Sequence, residues 1–101
     1  MSKYYIYKIY SKKNPSQFYI GSTNNISVRK SKHKKNTTNK RSKNYWNFLY
    51  QYIRANGGWI EFEMTEIDNF IANTNDERLS KEQDYIILLN PSLNSIFSKK
   101  Q

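Results

Sequence analysis

The segment Tyr19-Ile20-Gly21-Ser22 follows a second tyrosine-rich triplet, Tyr5-Ile6-Tyr7, after eleven intervening residues. Residues 4–10, Tyr-Tyr-Ile-Tyr-Lys-Ile-Tyr, are β-branched or aromatic at nearly every position, which fits a strand better than a helix. Alternation places Tyr5, Tyr7 and Ile9 on one face and Tyr4, Ile6, Lys8 and Tyr10 on the other. Residues 11–16 read as a loop in which Pro15 presets a turn. Residues 17–22 read as a second strand, antiparallel to the first because so short a loop cannot make a parallel crossover. Gly21, inside that strand, marks either a simple strand end or a close approach by another group.

Working outward, Thr23, Asn24 or Asn25 can cap a helix running to about Lys35, with Arg29 and His33 four apart on one face. Residues 36–43 are polar and basic and read as a mobile loop. A second helix over 44–54 carries Trp46, Leu49, Tyr50 and Ile53 on one face, and Ala55-Asn56-Gly57-Gly58 ends it. Trp59 to Ile67 alternates as a third strand, with Ile60, Phe62 and Met64 directed inward. Residues 68–75 read as a loop. Thr74 with Glu77 three residues on forms a capping box for a third helix reaching about Leu89, where Pro91 blocks continuation. Leu79, Glu82, Gln83 and Ile86 lie near one another on it, and Tyr85, Ile87 and Leu88 add apolar surface. The expected fold is α+β: a small three-stranded antiparallel sheet flanked by three helices, in the order β-β-α-α-β-α. One domain spans 1–101, with a basic flexible tail over 95–101.

The 101 residues include no cysteine, which excludes disulfides and thiolate metal sites, and a single histidine, which excludes a multi-histidine site. No apolar run approaches the roughly 20 residues of a membrane span, and the N-terminus does not read as a signal peptide. These features place the chain as soluble and intracellular. Residues 1–60 carry ten Lys, three Arg and no acid, whereas residues 61–101 carry three Lys, one Arg and eight acids. The net +9 is thus concentrated in the first part, interleaved with aromatics, a pattern suited to a polyanion such as nucleic acid. Lys30, Lys32, Lys34, Lys35, Lys40, Arg41 and Lys43 are the candidate phosphate contacts. A solvated basic surface is the plainer alternative.

Hydrolysis of a phosphodiester needs a base, a cation to stabilise the transition state, a proton for the leaving oxygen and a groove to position the strand. Tyr, Arg, His and one Glu could supply these groups. Because acids occur only after residue 60, any carboxylate for a metal must come from the third strand or third helix. Glu82 stands beside apolar positions, so it is either paired, as in a salt bridge to Arg29, capped by water, or used for a metal.

The ordered set Tyr5-Ile6-Tyr7, Tyr19-Ile20-Gly21, Arg29, His33, Glu82 and Asn94 resembles the GIY-YIG nuclease family over nearly the whole chain. One departure is Tyr5, which stands where the family name has Gly. No segment reads as an added DNA-binding module. The resemblance implies a DNA endonuclease using Mg²⁺ or another divalent cation such as Mn²⁺. It further implies that Tyr7 assists removal of a proton from the attacking water and that Tyr19 orients phosphate or water. Arg29 would stabilise the scissile phosphate, and His33 would assist proton transfer or hold the phosphate. Glu82 would bind the metal, and Asn94 would support the site by hydrogen bonding. Gly21 would leave room for the strand being cut. A catalytically silent nucleic-acid-binding module of the same fold is the alternative, and a basic protein with an acidic protein partner is a third reading.

Overall fold

The structure, a computed structural model, describes residues 2–94; the tail expected over 95–101 lies outside them. Strand β1 spans Ser2–Ser11 and β2 Phe18–Thr23, followed by helices α1 (Ile26–Thr38) and α2 (Phe48–Ala55). A 3-10 turn at Trp59–Glu61 leads into β3 (Phe62–Ala72), then α3 (Asn75–Leu89) and a second 3-10 turn at Ser92–Asn94. The sheet is antiparallel with strand order β2-β1-β3, so β1 is central and β2 is an edge. The class and order expected from the sequence, α+β with β-β-α-α-β-α, hold.

As the central strand, β1 is covered on both faces: Ile6, Tyr7 and Ile9 are all buried. Tyr7 and Ile9 face Leu49, Tyr50 and Ile53 of α2, together with Phe62, Met64 and Leu93, and this cluster is the core. The opposite face carries Ile6 and its cross-strand partner Ser22, and there α3 reaches the sheet through Glu82 and Arg78. Tyr5 pairs with Thr23 and Asn69 and shows no positive φ, so the backbone at this position does not require glycine.

Several boundaries differ from expectation. Helix α1 runs to Thr38 because Asn36 and Thr37 are buried with partners: Asn36 donates to the Tyr50 hydroxyl and Thr37 Oγ1 to the His33 carbonyl. Residues 39–43 are tied by turn hydrogen bonds rather than left mobile, including Ser42 N–H to the Asn39 carbonyl at 2.9 Å. Helix α2 begins at Phe48, which leaves Trp46 in the preceding turn, 63% exposed and outside the core. Ile60 falls in the 3-10 turn and is exposed as well. Strand β3 starts later and continues through 68–72, read as loop from the sequence; the pairing skips Ile67, a bulge that breaks the alternation there. Helix α3 contains no buried residue among those described, so Ile87 and Leu88 add exposed rather than packed apolar surface. It is held instead by polar links, including a Tyr85 hydroxyl donating to Asp68.

Candidate active site

A cavity of about 490 Å³ opens at the β2 edge, where both faces of the sheet contribute side chains. Tyr7 comes from β1, Tyr19 and Ser22 from β2, Arg29 from α1, and Arg78 and Glu82 from α3. The hairpin register pairs Tyr7 with Gly21 and Ile9 with Tyr19, which sets the two tyrosines side by side with ring centroids 6.3 Å apart. A Cβ on residue 21 would lie 2.4 Å from the Tyr7 hydroxyl. The space left by Gly21 is therefore filled by Tyr7 itself, a correction to the expectation that it admits the cleaved strand.

Asn25 starts α1, its side chain accepting from Val28 N–H at 3.1 Å, and one turn on Arg29 reaches Tyr7, Nε to Oη at 3.4 Å. His33, one turn further, is fully buried. Its Nε2 lies 2.8 Å from Tyr7 Oη and its Nδ1 2.8 Å from Tyr50 Oη. Tyr7, Tyr19, Tyr50 and Trp59 enclose the imidazole ring. His33 consequently does not line the cavity; its rim contacts are the Tyr7 hydroxyl and the Tyr19 ring.

Glu82 Oε1 accepts from the Ser22 hydroxyl at 2.5 Å and lies 3.8 Å from Arg78, not Arg29 as the sequence suggested. Arg78 also donates to Ser22 at 2.8 Å and to Asn75 Oδ1, so it is a site cation that sequence reading missed. Its spacing of four from Glu82 was the available signal. Asn94 lies away from the cavity: its side chain accepts from Ile20 N–H at 2.7 Å and donates to the Ile20 carbonyl at 2.8 Å, pairing with the β2 edge as a strand would. A second cavity of about 560 Å³ shares Arg29 and is walled by Lys32, Lys35, Arg41 and Lys43, without any carboxylate. Lys30, Lys34 and Lys40 are exposed outside it.

Burial sets the protonation states. It pushes the Tyr7 phenol up to about 12, with Arg29 opposing part of the rise, and it raises Tyr19 as well. Burial and the nearby Arg29 charge lower His33 to about 3, so its ring is neutral at physiological pH. The unfolded chain takes up this proton near 6.5, so below that value it carries more protons than the folded state. Stability is therefore complete above about pH 6.5 and declines as the pH falls toward 3. Urea denaturation is expected to show this as a slope of up to about 1.4 kcal/mol per pH unit between pH 6 and 4.5. His33→Gln should flatten the slope; equal slopes in the two proteins would assign the acid sensitivity elsewhere.

A guanidinium beside two phenols and a carboxylate, with a cationic groove adjoining, is an arrangement directed at phosphate esters. The chain belongs to the GIY-YIG family: the model of the GIY-YIG catalytic domain matches residues 3–94. That family is one of endonucleases that act on DNA and generally use divalent metal ions. No curated protein and no solved structure matches the chain. Among the described residues, no helix is long and apolar enough to cross a membrane.

Proposed function

We propose that this protein is a metal-dependent endonuclease that hydrolyses DNA phosphodiester bonds in the cavity at the β2 edge. The observation that carries the reading is the convergence there of Tyr7, Tyr19, Arg29 and Glu82 from four different elements.

The donor set suits a hard divalent ion. The cavity offers the Glu82 carboxylate and the hydroxyls of Ser22 and the tyrosines, with no sulfur and no imidazole in its wall. One protein carboxylate suffices for Mg²⁺ or Mn²⁺, which retain waters and take further oxygens from phosphate. Among the described residues no group of three His, Cys, Asp or Glu side chains gathers as a metal cage. Glu82 would hold such an ion, which would supply positive charge at the scissile phosphate.

The remaining work falls to the chain's own groups. Arg29 faces the cavity and presents a permanent charge to the scissile phosphate. Tyr7 takes a proton from the attacking water while passing its own to a phosphate oxygen; Arg29 at 3.4 Å and the buried His33 at 2.8 Å steady its oxygen during the exchange. Tyr19, half-buried beside it, orients the phosphate. The strand continues from Arg29 into the groove of Lys32, Lys35, Arg41 and Lys43, where sequence-independent phosphate contacts hold it.

Supercoiled plasmid tests this reading. Nicking and linearisation are expected with Mg²⁺ or Mn²⁺ and none with EDTA. Salt-sensitive plasmid binding without cleavage in any divalent ion would instead identify a silent DNA-binding module of the same fold.

A further inference from the structure

A line of hydrogen bonds runs from the basic groove to Tyr7, and three of its members, Ser42, Asn36 and Tyr50, lie outside the roles assigned above. Asn44 N–H lies 3.4 Å from Ser42 Oγ, and Ser42 Oγ is 2.5 Å from Asn36 Oδ1. Asn36 Nδ2 is 3.1 Å from Tyr50 Oη, which in turn is 2.8 Å from His33 Nδ1. Asn36, Tyr50 and His33 are all buried, so the protons that these three share need partners among the line's own members.

That requirement gives the chain one direction. Ser42 accepts from Asn44 N–H and donates its own proton to Asn36 Oδ1. The Asn36 amide is thereby oriented with its NH₂ toward Tyr50, whose oxygen accepts. The Tyr50 proton then has one buried acceptor, His33 Nδ1. The opposite arrangement would have Tyr50 accept from both Asn36 and His33 and leave its own proton buried without a partner. An unmade buried hydrogen bond costs about 1–3 kcal/mol. Reversal at Asn36 would make Ser42 accept twice and turn its proton into the groove it lines, so the direction rests on the Asn36 amide as it stands, with Nδ2 toward Tyr50 and Oδ1 toward Ser42.

We infer that Ser42, Asn36 and Tyr50 are positioning residues that fix His33 as the Nε2–H tautomer, so that His33 donates to Tyr7. The consequence for cleavage rests on the nuclease reading; the tautomer does not. With His33 Nε2–H and Arg29 Nε–H both directed at Tyr7 Oη, the oxygen's acceptor sites are taken and its own proton is directed into the cavity. His33 in this form does not withdraw the Tyr7 proton. It stabilises the oxygen as Tyr7 passes its proton to a phosphate oxygen and takes one from the attacking water.

The chain holds a single imidazole, so a long-range ¹H–¹⁵N correlation spectrum of the labelled protein reports on His33 alone. At pH 7 the Nε2–H pattern is expected; an Nδ1–H pattern overturns the proposal. In Tyr50→Phe the Nδ1 acceptor loses its donor. The spectrum should move to a mixture of tautomers, and plasmid cleavage should fall roughly tenfold at unchanged DNA affinity. A folded Tyr50→Phe protein that keeps the pure Nε2–H pattern and the full cleavage rate also overturns it. If Tyr50→Phe does not fold, the wild-type spectrum decides alone. An Nε2–H pattern in a protein that cuts no plasmid supports the hydrogen-bond line and removes the nuclease reading.

Discussion

Glu82→Ala is expected to lower plasmid cleavage by roughly 10³-fold or more, since the charge stabilisation attributed to a catalytic metal amounts to several kcal/mol. The fold should survive. Arg78 keeps its own bonds to Ser22 and Asn75 when the carboxylate is gone, and α3 retains the Tyr85–Asp68 link. The lost contacts, the half-buried Arg78–Glu82 pair at 3.8 Å and the Ser22 hydroxyl bond to the carboxylate, are together worth about 1–3 kcal/mol. Removing a negative charge beside the phosphate path should leave DNA binding equal or tighter at low salt. Circular dichroism, a gel-shift titration and the plasmid assay separate these outcomes. Equal cleavage by the wild type and Glu82→Ala would show that the metal-binding assignment is wrong.

Gly21→Val is expected to disable the site from the opposite direction, by displacing Tyr7. The new Cβ would lie 2.4 Å from Tyr7 Oη, 2.5 Å from Cζ and 3.0 Å from Tyr19 Cε2. The obstacle is a rigid phenol, pinned by His33 at 2.8 Å and buried, rather than the free end of a flexible chain. Overpacking of this kind costs about 1–3 kcal/mol. A shift of the hydroxyl by about 1 Å can cost roughly 10²-fold in rate. Thermal melts should show the first effect, and cleavage below the melting range the second. The single ¹⁵N imidazole signal should move too, because His33 loses its partner. A folded Gly21→Val protein that cuts at the wild-type rate would show that the Tyr7 hydroxyl is dispensable where the register places it.

The hairpin was legible because its pairing is local: the spacing between Tyr7 and Tyr19 sets the register that brings their rings together. The caps at Asn25 and Thr74 were legible for the same reason, each satisfied by an N–H three residues on. The misread positions depend on distant partners. Asn36 and Thr37 look like loop residues until Tyr50, Ser42 and the His33 carbonyl satisfy them. Trp46 matches the apolar period of α2 but precedes its first turn, and it stands against Tyr45 with ring centroids 4.8 Å apart. The bulge at Ile67 shifts the alternation of β3 by one, so a strict period of two ends too early. In the site, the hairpin and α1 residues were pointed to by the family resemblance, Arg78 carried only its spacing of four from Glu82, and the Tyr50–Asn36 line required the docking of separate elements.

The contacts of the site also differ in how far apart their residues lie along the chain. Tyr7 meets Arg29 and His33 across 22 and 26 residues, while Ser22 meets Glu82 across 60 and Ile20 meets Asn94 across 74. Short loops close at lower entropic cost, so the hairpin with α1 can form before α3 and the Asn94 clasp arrive. An intermediate of that kind would possess the basic groove and the phenols but not the carboxylate. On the nuclease reading, a chain with the hairpin and α1 in place but α3 undocked would hold the phosphate-binding cations without the carboxylate that cutting needs.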